Sequence, residues 1–291
     1  MAESQPVEST ISRPELLRTG KGRLGRLERA LIGFVRWTFK RGAVDTLIRY
    51  LQRVIGSTWI HHCTKHLRHV YGRERLPALH PRQSFLLVSN HRSFFDLYVV
   101  FGELVRRGLP HRIVFPVRAA FFYTSPIGLF VNGVMSFFAM YPPIFRERKQ
   151  LALNPASLDE LAWLLRGGST FAGLHPEGTR KKDDDPYTFL PAQRGVGRVI
   201  HEARVPVIPV FINGLINRLP RQVASNFDGS GRKIVVVFGE PIDFSDFYAE
   251  KGSPKVHQAI ADRTLEVIGR LGQEERTHRA ALEADALKST D

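Results

Sequence analysis

Short apolar runs that end at polar loops, separated by stretches with helical periodicity, constrain this chain more than any other feature. Runs at 84–89, 112–116, 170–174, 207–212 and 234–238 have the length of strands. They are nearly continuous rather than alternating, as in strands buried on both faces. Between and after them, 97–107, 192–203 and 255–271 carry helical patterns. Ser157-Leu158-Asp159-Glu160 reads as a capping box opening a helix through Leu165, stopped by Gly167-Gly168. Strands alternating with helices predict an α/β domain, a central mixed sheet flanked by helices. A chain of 291 residues, 43% of them hydrophobic, can bury one such core with terminal extensions. No internal repeat is visible.

The N-terminal region differs in character. Residues 1–20 read as a flexible tail. Leu24, Leu27, Leu31, Phe34 and Val35 then recur at helical spacing, and Val44, Leu47, Ile48, Leu51, Val54 and Ile55 do so after Gly42. Among them stand Arg23, Arg26, Arg29, Arg36, Lys40, Arg41, Arg49 and Arg53, opposed only by Glu28 and Asp45. This predicts a pair of basic amphipathic helices, with Trp37 and Trp59 suited to a headgroup boundary. Two ordinary surface helices would also fit. The expected organisation is a tail at 1–20, an amphipathic helical membrane-docking segment at 21–70, a main domain at 71–274 and a charged C-terminal tail at 275–291.

Charge points the same way. Lys plus Arg total 42 against 28 Asp plus Glu, a net charge of +14, which favours a polyanionic partner. There is neither zinc-finger spacing nor an aromatic-basic RNA motif, so an anionic membrane surface is expected and nucleic acid is not. The longest uncharged stretch, 119–145, is long enough to cross a bilayer. Pro126, Gly128, Asn132, Gly133, Pro142 and Pro143 interrupt it, which predicts a broken apolar segment lining a cavity or dipping into the interface. The single cysteine, Cys63, excludes an intrachain disulfide and suits a reducing compartment. The first residues lack the basic and apolar regions of a secretory signal.

Three polar constellations could carry chemistry. Asn90-His91-Arg92-Ser93-Phe94-Phe95-Asp96 follows the first predicted strand. A turn between His91 and Asp96 would let the carboxylate hold one imidazole nitrogen and leave the other as a base. On spacing alone, a capping Asp beside an incidental His fits as well. His175-Pro176-Glu177-Gly178-Thr179-Arg180 follows another strand; Gly178 lets backbone N–H groups approach an anion, and Arg180 suits phosphate oxygens. Arg146-Glu147-Arg148-Lys149 ends the long apolar stretch, placing cations beside an apolar wall. The second and third also fit plain solvated turns.

In this order the pieces resemble the 1-acylglycerol-3-phosphate acyltransferases, also called lysophosphatidic acid acyltransferases. The resemblance covers about half the chain, from roughly residue 84 to 238. An Asn-His-x4-Asp block is matched by Asn90, His91 and Asp96. A second block ends in an Arg after an Ile-Phe pair and an acidic residue; Arg148 fits best, with Arg146 the adjacent alternative. Pro-Glu-Gly-Thr-Arg stands at 176–180, a basic-Gly pair at Arg194-Gly195, and a Val-Pro-rich strand at 205–210. Two positions depart: His175 where Phe is usual, and Arg194 where Lys is common.

The resemblance implies an O-acyltransferase of phospholipid biosynthesis on the cytoplasmic face of a membrane, with no metal or other cofactor. It implies acyl-CoA or acyl-carrier protein as donor and a lysophospholipid, foremost lysophosphatidic acid, as acceptor. His91, oriented by Asp96, would take the acceptor's hydroxyl proton. Arg146, Arg148, Glu177, Gly178, Thr179, Arg180 and Arg194 would bind substrate, with the phosphate mainly on Arg148 and Arg180 and Glu177 orienting Arg180 or meeting a glycerol hydroxyl. The apolar stretch 121–138 would grip the acyl chain. Competing readings keep the chemistry on another lysophospholipid, a lyso-aminolipid or a glycolipid, or make the chain a non-catalytic basic protein binding membranes or nucleic acid. His61, His62, His66 and His69 cluster near Cys63, but nothing nearby supplies a carboxylate, so a basic surface is expected there rather than a metal.

Overall fold

A computed structural model describes residues 15–288. In chain order the elements are α1 (Leu16–Thr19), α2 (Arg26–Trp37), α3 (Ala43–Leu51), a π-helical turn (Gln52–Gly56), α4 (Ser57–His62), β1 (Arg68–Tyr71), β2 (Phe85–Ser89), α5 (Asp96–Arg106), β3 (Arg112–Arg118), α6 (Ala119–Phe122), α7 (Pro126–Ser136) and β4 (Met140–Ile144). They continue as α8 (Asn154–Arg166), β5 (Thr170–Leu174), α9 (Arg194–Ala203), β6 (Val207–Asn213), α10 (Leu219–Asp228), β7 (Ile234–Phe238), α11 (Ser245–Tyr248) and α12 (Pro254–Lys288).

The strands form one mixed sheet in the order β1-β7-β6-β2-β5-β3-β4. All neighbours are parallel except β6 and β7, which run antiparallel. Every residue of β2, β5, β6 and β7 is buried, the reason these strands read as continuous apolar runs. Register puts Leu87, Gly173 and Ile208 on one face and Leu86, Ala172 and Val207 on the other. α5 packs on the first face so closely that a Cβ on Gly173 would come within 3.0 Å of both Phe101 and Leu97. α12 covers the second face, where Gly272 meets the Phe211 ring, and α9 packs between α8 and α12.

The helix expected to open at Ser157 begins three residues earlier. Ser157 is fully buried inside α8, and Glu160, fully buried too, receives two hydrogen bonds from Arg36 of α2 at 2.9 and 2.8 Å. This ion pair fastens α2 to the domain, so not every N-terminal arginine faces outward. Arg49 likewise turns to Asp45 at 2.8 Å. Of the tail expected at 1–20, residues 1–14 lie outside the described residues, while α1 buries Leu16. The boundary expected at 274/275 falls inside α12, where Glu275 is buried and accepts from the Tyr187 hydroxyl at 2.7 Å. Residues 289–291 of that segment lie outside the described residues.

The stretch 119–145 is broken as its prolines and glycines require, into α6, α7 and β4. Among the described residues no helix is long and apolar enough to cross a membrane.

Candidate active site

β2 and β5 are adjacent and parallel, so the loops leaving their C-terminal ends meet, where open α/β sheets place their ligands. Asn90 closes the first loop onto the sheet. Its Nδ2 donates to the Ile212 carbonyl and its Oδ1 accepts from the Ile212 N–H, both at 2.9 Å, so an amide side chain continues the ladder between β2 and β6. Asp96 begins α5, and its carboxylate, 1% exposed, accepts the N–H groups of Arg92 and Ser93 at 2.8 Å each. These bonds curl the loop until His91 Nδ1 stands 3.4 Å from Asp96 Oδ2, a long contact of the kind that tightens when substrate binds. A proton on Nδ1, facing the carboxylate, leaves Nε2 as the basic nitrogen.

Glu177 joins the two loops. Its carboxylate, 1% exposed, accepts the His91 N–H at 2.9 Å and the Leu190 N–H at 2.8 Å. It therefore does not orient Arg180, contrary to one of the two roles expected of it. Gly178 adopts φ +65°, donates its N–H to the His175 carbonyl at 3.0 Å and accepts Arg146 Nη2 at 3.0 Å. Thr179 is half-buried in the same turn.

The cations separate into two groups. Arg92 and Lys181 are neutralised by Asp183, at 2.8 and 2.6 Å. Arg180 instead donates to the neutral Asn217 side chain at 2.7 Å, and Arg146 to the neutral Gly178 carbonyl. These two have no acidic partner among the described residues, and their field reaches His91: burial first, then Arg180 and Arg146, pull its imidazole down to about 3. Arg148, the expected match, is exposed and has no hydrogen bond or ion pair among the described residues. Arg194 opens α9, also exposed and without such a bond, and is not drawn into this cluster.

His175 lies flat on His91, ring centroids 3.7 Å apart and planes 8° from parallel. Its Nδ1–H donates to the Ser89 carbonyl at 3.0 Å, and burial lowers it to about 3 as well. Burial pushes Asp96 the other way, up to about 6. Ligand atoms of His91, Asp96 and His175 lie within 4.8 Å of one another. A metal held by imidazole sits in the plane of the ring, and parallel stacked rings cannot aim two lone pairs at one ion, so this trio does not fit a metal. At 61–69, His61 meets Arg68 at 2.9 Å and His62 the Thr58 carbonyl at 2.9 Å, and those imidazoles do not converge either.

The acyltransferase family model matches residues 68–213, a segment that holds His91, Asp96, Arg146, Glu177 and Arg180. The chain belongs to the acyltransferase family. The 1-acyl-sn-glycerol-3-phosphate acyltransferases alpha of Homo sapiens and Bos taurus are each 27% identical to it over 154 residues, 51% of this chain and 48% of theirs. The chain spans about half the length of these curated relatives. The crystal structure of the 1-acyl-sn-glycerophosphate (LPA) acyltransferase PlsC from Thermotoga maritima shares the fold, with TM-score 0.51 and 21% identity, covering 90% of this chain and 93% of that one.

Within this acyltransferase fold two site residues escaped the sequence reading. Asn217, beyond β6, accepts from Arg180 and from the Phe94 N–H at 3.1 Å, bridging both loops. Asp183 is the counter-charge to Arg92 and Lys181. Neither lies in a motif, and only tertiary structure brings them to the site.

Proposed function

We propose that the chain moves a fatty acyl group from a thioester, acyl-CoA or acyl-carrier protein, to the free hydroxyl of lysophosphatidic acid, making phosphatidic acid for phospholipid biosynthesis. The observation that carries this reading is a tautomer-fixed imidazole next to two arginines that have no counter-charge among the described residues. His91 Nε2 takes the acceptor's hydroxyl proton as its oxygen attacks the thioester carbonyl. Asp96 steadies the imidazolium that forms, and the tetrahedral intermediate then expels the thiolate, to which His91 returns the proton. Arg146 and Arg180 hold the acceptor's phosphate. Their charge opposes protonation of His91, so a phosphate seated between them raises the base's proton affinity once the acceptor is bound. Arg148 and Arg194 are exposed enough to reach a headgroup or the donor; Glu177, Gly178 and Thr179 shape the turn.

An apolar cavity of about 40 Å³ lies between the π-helical turn, α5 and α7, lined by Trp59, Tyr98, Phe101, Phe115, Met135 and Phe137. We assign this cavity to the acyl chain, which would enter as these elements part. Two of these elements, the π-helical turn and α7, together with α2 and α3, carry the surface we assign to an anionic membrane on its cytoplasmic face. Phe34, Trp37, Leu47, Tyr50, Val54 and Ile55 of the N-terminal segment are exposed, as are Ile127, Phe130 and Val134 of α7. Phe34 packs on Phe138 just beyond α7, at 5.6 Å, so the two groups are neighbours.

Acyl transfer from labelled acyl-CoA and acyl-carrier protein to lysophosphatidic acid in liposomes tests the reading. Product is expected with the wild-type chain, and His91→Ala should lower kcat by about 10²–10⁴-fold with its circular dichroism unchanged. Full turnover in that variant would remove His91 as the base. Product only with phosphate-free acceptors would remove the phosphate assignment.

A further inference from the structure

α9 and the first turn of α12 approach to backbone contact. Gly197 permits it, since a Cβ there would stand 1.8 Å from the His257 carbonyl oxygen. The approach pairs His201 with His257, ring centroids 5.4 Å apart and planes at 61°. Both are deeply buried, 6% and 9% exposed. His201 Nε2–H donates to the Glu250 carbonyl at 3.1 Å, which leaves the lone pair on Nδ1. Buried His201 Nδ1 and His257 Nε2 have no hydrogen-bond partner among the described residues. One ligand atom from each of His201, His257 and Glu202 falls in a set whose members all lie within 4.8 Å of one another. Gly252 keeps the space before both nitrogens open: a Cβ there would sit 3.2 Å from His201 Nδ1 and 3.2 Å from His257 Nε2.

We propose that His201 Nδ1, His257 Nε2 and the Glu202 carboxylate bind a zinc-class divalent cation that pins α9 to α12. Two imidazoles and one carboxylate make a donor set that suits zinc, with a fourth position for water. The second nitrogen of His201 already donates to a backbone carbonyl, the outer contact that fixes a metal-bound imidazole. Here the rings are strongly inclined, so their lone pairs can converge on one ion, unlike the parallel pair His91 and His175. Among nearby cations, Arg198 is satisfied by Asp159 at 2.8 Å, and Arg166 stands 3.7 Å from Glu202 Oε2. The carboxylate's other oxygen is left for the ion. The site is built from α9, α12 and the 249–253 turn, none of which contributes to the His91 cluster.

The test uses the full chain without an affinity tag, stripped of metal by chelator and titrated with Zn2+ or Co2+. We expect one ion per chain, a rise of several degrees in Tm with Zn2+, and the strong visible absorption of tetrahedral Co2+. His257→Gln and Glu202→Gln should each weaken binding by at least about tenfold. Gly252→Ala keeps all three ligands but places a methyl group before them, and should abolish the Tm shift even if the histidine variant folds poorly. His175→Phe, which dismantles the other cluster of possible ligands, should leave the titration unchanged. A Tm indifferent to Zn2+, with no Co2+ absorption, would mean that water alone bridges the two nitrogens and would overturn the proposal. Binding lost in His175→Phe but kept in His257→Gln would overturn it equally.

Discussion

The imidazoles of His91 and His175 are stacked face to face at 3.7 Å, and the lower ring is locked to the Ser89 carbonyl through its Nδ1–H. His175 is therefore a platform that fixes the plane in which His91 works. Phenylalanine offers the same platform without the hydrogen bond. We expect His175→Phe to keep most of kcat/KM and His175→Ala to lose about 3- to 10-fold more, the worth of one aromatic contact. Equal losses in the two variants would show that the ring's nitrogens, not its face, matter.

The pH dependence follows from opposite shifts within one pair. His91 is pulled down to about 3 and stays neutral through the working range. Asp96 is pushed up to about 6, chiefly by burial. As pH falls through about 6, Asp96 takes a proton and loses the negative charge that balances the His91 imidazolium. Activity should thus be flat above this point and decline below it. The profile of kcat/KM checks this, with Asp96→Asn as control: the variant should be slow and lack the acid limb, whereas a limb that survives would belong to another group.

Of the cations, Arg146 and Arg180 should matter most for a phosphate-bearing acceptor. Losing one charge-assisted hydrogen bond is worth about 1.5–3 kcal/mol, so Arg180→Ala should raise the acceptor's KM by roughly 10- to 100-fold. Arg92→Ala should do less at the phosphate, because Asp183 already holds that guanidinium. Steady-state kinetics with acceptors that bear and lack phosphate separate the two effects.

Vesicle sedimentation tests the exposed apolar face. Ile127 and Phe130 are 73% and 69% exposed on α7, so replacing both with Ser should leave Tm nearly unchanged. Partition onto anionic vesicles should fall by an order of magnitude or more, given about 1.5–3 kcal/mol per large apolar side chain when fully buried. Unchanged partition would assign lipid contact to α2 and α3 alone.

Sequence and structure agree best where burial is complete. The five apolar runs became β2, β3, β5, β6 and β7, with ends within two residues of those expected, because a strand covered on both faces leaves a continuous apolar signature. Both edge strands were hidden. β1 reads Arg-His-Val-Tyr and is only half-buried, and β4 carries Pro142 and Pro143, which remove ladder donors that an edge can spare. The site was legible as far as its contiguous motifs: His91 with Asp96, and the 176–180 turn. Pairings made across long separations left no trace in spacing. Arg36 with Glu160, Arg180 with Asn217, and His201 with His257 are of this kind.

Glu177 spends both carboxylate oxygens on backbone N–H groups, one on the loop bearing His91 and one at Leu190. An amide cannot do this, since its NH2 would be turned against one of those donors. Aspartate is a methylene too short to span them. Position 177 therefore behaves as a two-pronged clasp with no isosteric substitute. The two loops are welded at that point, and any displacement of the 176–180 turn carries His91 with it.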